Sequence, residues 1–178
     1  GIDAPGLAAL RDAAAAFEQP LLTVAPLGAM SECSHRVTTK EPLALQQRAE
    51  NVYALNGTPA DCIRVAVLHL LPARGIAVDR NVTVLSGINA GGNLGADVYI
   101  SGTVAAVREA AFFGLPGIAI SQYKKGQPED PHWHTAAEWA RRVLELLRER
   151  APVEHEFYNV NLPWPPDAVP DPEITFCT

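Results

Sequence analysis

A chain of 178 residues with 48% hydrophobic and 19% charged residues has the size and balance of one globular domain, and at that length folding buries roughly 70% of the surface the unfolded chain exposes. Its formal charge is −6, and its 14 basic residues are scattered apart from Arg141, Arg142, Arg148 and Arg150. That distribution argues against a nucleic-acid groove, which needs a basic stripe, but leaves room for a small anion held by backbone amides.

Taken in chain order, Leu7, Leu10, Ala14 and Phe17 recur on one helical face after a start at Asp3 and Pro5, which predicts an amphipathic helix over Ala4 to Phe17. Leu21 to Ala25 and Val52 to Leu55 have strand length. Thr58-Pro59-Ala60-Asp61 combines a capping box with proline in the first helical turn, and a helix should run to about Leu71. That helix is apolar on most sides and so should be buried between layers. Val82 to Leu85 reads as a strand. Ser101 caps a helix from Gly102 to Phe113, stopped by Gly114 and Pro116. Ile118 to Ser121 is a further strand, and Thr135 to Glu138 a further capping box, opening a helix whose buried stripe is Ala136, Trp139, Ala140, Val143, Leu146 and Leu147. Phe157 to Leu162 closes the series.

Strands alternating with helices at this interval predict a parallel sheet covered on both faces, a doubly wound α/β domain over residues 1–162. Residues 163–178 read as a proline-rich arm with a terminal edge strand at Ile174 to Phe176. A doubly wound domain normally opens on a strand, whereas Gly1-Ile2-Asp3-Ala4-Pro5-Gly6 reads as a loop leading from a strand into a helix, so the first strand is expected to lie outside the chain. The longest apolar run, Val65 to Leu71, is interrupted by His69 and stopped by Pro72, far short of the ~20 residues of a membrane helix. Cys33, Cys62 and Cys177 are odd in number and far apart, which fits reduced thiols in a cytoplasmic protein.

In such a sheet the ligand site lies beyond the carboxyl ends of the strands. The loops there are Pro26 to Arg36, Asn56 to Thr58 and Ser86 to Ser101. The last holds Ser86-Gly87-Ile88-Asn89-Ala90-Gly91-Gly92-Asn93-Leu94-Gly95, followed by Ser101-Gly102-Thr103 at a helix start. Glycines let the backbone approach a ligand, asparagine amides offer oxygen to a cation and hydrogens to an anion, and the helix start presents free N–H groups. The same residues also suit a tight turn with Ser101 as a plain cap, and the residues by themselves leave both readings open.

The string from Ser86 to Thr103, continued by Val104-Ala105-Ala106, is similar to the long signature of the SurE survival-protein family of nucleotidases. Gly1-Ile2-Asp3-Ala4-Pro5-Gly6 resembles the family's first loop, and Ala25-Pro26 with Ser31 its second. Gly57-Thr58-Pro59-Ala60-Asp61-Cys62 resembles a third block and Asn159-Val160-Asn161-Leu162-Pro163 a late one. The resemblance implies a Rossmann-like domain that hydrolyses nucleoside monophosphates to nucleoside and phosphate (a 5'/3'-nucleotidase) with a divalent cation, Mg2+ or Mn2+.

In the family two adjacent aspartates, a serine and an asparagine hold the metal. The last two carry over to Ser31 and Asn89. Asn93, Ser101, Gly102 and Thr103 carry over as phosphate-side groups, and Asn89, Asn93 and Ser101 as the catalytic set. His35 and Thr58 are carried as substrate-side candidates. The family's aspartates come immediately before the residue matching Gly1, so the expectation is that the chain as given binds metal weakly and turns over slowly or not at all. Tyr99 and Ile100 stand in the order opposite to the family's usual one. The resemblance also implies a homodimer or homotetramer, although the chain ends earlier than the family often does.

Other candidates carry less. His132 and His134 are a pair without further ligands nearby in sequence, read as a solvated loop before the Thr135 cap. Cys33 and His35 lack a third, orienting residue for nucleophilic catalysis. Asp61 reads as a capping acid, and Asp97 as a surface charge or an outer group of the site. Two different classes stand beside the phosphatase: a module that only holds phosphate or nucleotide on the Asn-Gly loop, and an acyl hydrolase using Ser101, which lacks the Gly-x-Ser-x-Gly elbow.

Overall fold

The computed structural model describes residues 1–124, 132–150, 152–164 and 172–177. Pro5 in the first turn opens helix α1, Pro5–Ala15, whose Ala9, Leu10, Ala13 and Ala14 are buried. Strand β1, Thr23–Pro26, leads into a long loop, and β2, Leu45–Ala49, forms a hairpin with β3, Val52–Leu55. Asn51 turns that hairpin at φ 55°, a left-handed conformation asparagine tolerates. β2 was not foreseen, because Gln46, Gln47 and Arg48 carry no strand signal. Main-chain pairing on an exposed edge, with a register shift between Gln47 and Ala49, makes it a strand.

Helix α2, Pro59–Val65, begins with the predicted capping box: Thr58 accepts from the Asp61 amide and Asp61 accepts from the Thr58 amide. The expected run to Leu71 is not one α-helix. It widens into a π-turn over Ala66–Leu70, closed by Leu71 N–H on the Ala66 carbonyl at 2.9 Å. Pro72, whose ring crowds the preceding turn, ends it. Strand β4, Val84–Ala90, runs further than predicted and takes in the first five residues of what reads as the Ser86 loop. Short helix α3, Asp97–Ile100, precedes α4, Gly102–Phe112, which is capped as expected by Ser101 Oγ accepting from the Val104 amide at 3.2 Å.

Strand β5 spans Gly117–Gln122 and is buried along its whole length. Helix α5, Trp133–Arg148, corrects the Thr135 capping box: the helix starts three residues earlier, behind a left-handed His132 with no side-chain cap. Tertiary burial decides this, since the Trp133 ring packs on the α1–α5 core beside Gly6. His134 thereby lies in the helix's first turn, not in a loop. Strand β6 is Phe157–Leu162, as predicted. The expected strand at Ile174 to Phe176 joins no ladder; Phe176 instead meets the Tyr158 ring edge-on and the Arg150 guanidinium. The rest of the predicted arm, 165–171, lies outside the described residues.

Among the described residues six strands form two ladders, not one continuous sheet: β1-β3-β2, with β2 antiparallel, and the all-parallel β4-β5-β6. Residues 1–6 touch both. Ile2 N–H reaches the Pro26 carbonyl at 2.8 Å, and Gly6 lies against the Ile88 carbonyl. The β4-β5-β6 ladder is covered on both faces, so β5 needs no polar alternation. Ile118 and Ile120 face α1 and α5, with Leu10, Trp139, Val143 and Leu147. Ala119 faces Val104 and Val107 of α4.

Candidate functional site

In a β4–α4–β5 unit with parallel strands the helix runs back along the sheet, so its N-terminus lies at the strands' carboxyl end. Val107, halfway along α4, sits against Gly117 at the start of β5, which confirms that direction. Asn89, Ser121 and Asn161 are register partners across β4, β5 and β6 at that end. Paired residues of neighbouring strands share a face, and Ser121 is two residues from Ala119, so this polar row stands on the α4 face.

Asn93 roofs the row. Its Nδ2 donates to Ser121 Oγ at 2.6 Å, and its backbone N–H donates to Asn161 Oδ1 at 2.7 Å. The Asn93 carbonyl accepts from Asn159 Nδ2 at 2.8 Å and from Asn161 Nδ2 at 3.1 Å. Asn89 Nδ2 donates to the Gly91 carbonyl at 2.8 Å, which makes Oδ1 the amide atom that Asn89 can offer to a ligand. Gly91, at φ 123°, supplies the turn that returns the chain to Asn93.

The loop after β1 lies across the start of α4. Ser34 N–H bonds the Ile100 carbonyl at 2.9 Å. A Cβ on Gly102 would meet Cys33 Sγ at 2.8 Å and Pro59 Cγ at 3.0 Å, so only glycine admits the loop and α2 this close to the helix mouth. Ser31 is an exposed turn residue of this loop, and Asn89 is half-buried in the row. Ser101 is 8% exposed, with its Oγ holding the Val104 amide; the Gly102 and Thr103 amides belong to the set that a helix start leaves without intrahelical partners.

His35 and Thr58 hold structure. His35 Nε2 lies 2.7 Å from Glu109 Oε2, and Arg64 Nη1 lies 2.9 Å from Glu109 Oε1. Glu109 is 3% exposed, so this carboxylate ties the loop, α2 and α4 together from within. Thr58 is 1% exposed, its hydroxyl serving the helix cap and donating to the Arg36 carbonyl. Burial raises the Cys33 pKa, outweighing the backbone and Arg36, so its thiol is a poor nucleophile. Cys62 is pushed up to about 12 by burial and the neighbouring Asp61 charge. Asp97 is an exposed first-turn residue of α3.

Ser31 and Asn89 can offer a cation only neutral oxygens. Among the described residues no three of His, Cys, Asp and Glu come together as a metal cluster. A divalent ion's oxygen sites are built on carboxylates, so this donor set by itself does not fit one. No helix among the described residues is long and apolar enough to cross a membrane.

Parallel strands under flanking helices, with a row of asparagine and serine side chains at the strands' carboxyl end beside a helix start, define a mixed α/β protein with a parallel sheet. The family model for survival protein SurE matches residues 1–178, and the chain belongs to the SurE family. A Nostoc sp. relative provisionally named a 5'-nucleotidase is 48% identical over 178 residues, covering 99% of this chain and 74% of that protein. The 5'-nucleotidase SurE of Methylocella silvestris is 38% identical over 177 residues, covering 98% of this chain and 68% of that protein. The crystal structure of the SurE protein from Aquifex aeolicus is similar, with a TM-score of 0.80 and 31% identity, and spans 92% of this chain and 63% of that one.

The Asn159 and Asn161 contacts and the Glu109 anchor escaped the sequence reading. The first had a usable signal, two asparagines spaced by two within an apolar strand and so on one face. The second had none, because Glu109 reads as an ordinary helix-surface acid.

Proposed function

We propose that the chain is a phosphomonoesterase acting on nucleoside monophosphates, with the phosphoryl group seated between the Asn93 loop and the start of α4. One observation carries this reading: Asn89, Asn93 and Ser121 converge at the carboxyl end of β4 and β5, where α4 begins. The relatives' nucleotidase names supply the substrate class.

In hydrolysis water attacks phosphorus, the ester P–O bond breaks, and negative charge is shared over the phosphoryl oxygens. The second Nδ2 hydrogen of Asn93, the Ser101 hydroxyl and the Gly102 and Thr103 amides are donors for those oxygens, fixed before the charge develops. The positive end of α4 adds a favourable field. The family's Mg2+ or Mn2+ would supply charge neutralisation and a more acidic bound water, but Ser31 and Asn89 do not build its site unaided. A cytoplasmic location belongs to this reading. The homodimer or homotetramer rests on the resemblance alone, and gel filtration checks it.

The test is phosphate release from AMP in Mn2+-containing buffer by the chain and its Asn93→Ala and Ser101→Ala variants. Each substitution should lower kcat by about 100-fold or more, the usual loss for one preorganised donor. Turnover indifferent to both would overturn the site. AMP-induced thermal stabilisation without phosphate release would instead support the holding module.

A further inference from the structure

The two asparagines of β6 play no part in the chemistry above, yet they make the most specific polar contacts near it. Spaced by two along the strand, they stand on the α4 face. Asn161 closes a ring with both main-chain groups of Asn93, accepting from its N–H at 2.7 Å and donating to its carbonyl at 3.1 Å. Asn159 adds a second donor to that carbonyl at 2.8 Å. Ser121 holds the side chain through Nδ2 at 2.6 Å. Three polar groups of one residue are thus pinned by two strands, while the Asn93 Oδ1 and second Nδ2 hydrogen are not spent in these contacts.

Two features show why such a clamp is needed. Asn93 follows Gly91 and Gly92 and precedes Gly95, with Gly91 at φ 123° and Gly95 at φ 54°, so its own loop has little intrinsic stiffness. The clamp also has a cost inside the strand: Asn159 Oδ1 is buried without a hydrogen-bond partner. A valine opposite Ala119 would bury no unpaired oxygen and would suit a strand better. What asparagine does there that valine cannot is bond the Asn93 carbonyl.

We propose that Asn159 and Asn161 are positioning residues of the phosphate site, holding the Asn93 backbone so that its remaining amide hydrogen points at the phosphoryl group. This rests on the reading of Asn93 as a phosphate-side group. The geometry needs the asparagine amide at 161, because only a group that both accepts and donates can serve the N–H and carbonyl together.

The test uses the full chain, 15N-labelled, with Asn161→Ala and Asn159→Val as variants and inorganic phosphate as the probe. Amide hydrogen exchange at Asn93 should speed up by about tenfold or more in Asn161→Ala, the factor of one ordinary hydrogen bond. Exchange at the Val104 cap amide should stay within about twofold, which a general loosening would not allow. Phosphate affinity, read from the Asn93 and Gly102 resonances, should fall about tenfold in both variants while each still melts cooperatively. Asn159→Val guards against a folding failure, since it removes the unpaired oxygen and keeps a strand former. Unchanged exchange at Asn93, or unchanged phosphate affinity with exchange accelerated, would overturn the proposal. If phosphate moves no resonance of the parent chain, the phosphate reading itself fails, and the exchange comparison still decides whether the asparagines hold Asn93.

Discussion

Asp61 shows how a single buried carboxylate can hold a loop and a helix at once. Burial by itself pushes its pKa up, but hydrogen bonds from the backbone and side chain of Thr38 and from Thr58 outweigh that and leave it below the ordinary value. A depressed folded-state pKa means that the stabilisation is fully present above the ordinary carboxyl pKa of about 3.9 and is lost as pH falls through the folded value. Asp61→Asn should therefore cost about 1–3 kcal/mol at pH 7 in urea unfolding, the range for a charged hydrogen-bond acceptor. The gap to the parent should narrow as pH falls below the ordinary carboxyl pKa of about 3.9. A gap that does not change with pH would show that the carboxylate's charge contributes nothing.

At the scale of elements, the distance between a helix and the strand beneath it is set by what it lacks. Gly6 in the first turn of α1 lets the helix backbone touch the Ile88 carbonyl, with the Trp133 ring closing over the same spot. Gly6→Ala should destabilise by about 1–3 kcal/mol through overpacking against backbone, even though alanine is the better helix former by about 1 kcal/mol. Gly28→Ala, where a Cβ meets nothing within 4 Å, is the matched control. It should stay within about 0.5 kcal/mol of the parent. Equal effects in urea denaturation would mean that α1 does not sit on β4 as described. Because β4 ends at Asn89 and Ala90, the Gly6 contact also bears on the site.

For the whole molecule, the donor inventory makes the metal question quantitative. With Ser31 and Asn89 as neutral oxygens and no clustered acids among the described residues, Mn2+ titrated into the chain by calorimetry should bind no tighter than about the millimolar range of weak oxygen sites. Saturation at micromolar Mn2+ would mean that other residues complete a site. The same balance of parts appears in the fold: the β4-β5-β6 ladder carries the polar row and is sealed by α1, α5 and α4, while the β1-β3-β2 ladder delivers the loop that lies over the helix mouth.

Periodicity and capping chemistry were enough to read α1, β3, α4 and β6 closely, because each is defined by local forces: a proline start, a serine cap, a short apolar run. Those forces also determined the doubly wound α/β class, and the Asn-Gly string marked the loop that carries Asn93. Where packing competes with local preference, the sequence could not decide. Trp133 began α5 ahead of its apparent cap because its half-buried ring packs against α1, and the polar β2 became a strand because β3 offered it hydrogen bonds. The assembly of the site belongs to tertiary structure alone. Asn89, Asn93, Ser121, Asn159 and Asn161 are up to 72 positions apart along the chain, and only strand register sets them side by side. Glu109 likewise gathers His35 and Arg64 only once α4 is laid against α2 and the loop. Local sequence fixes which residues turn and cap; register and burial, being long-range, fix which of them meet.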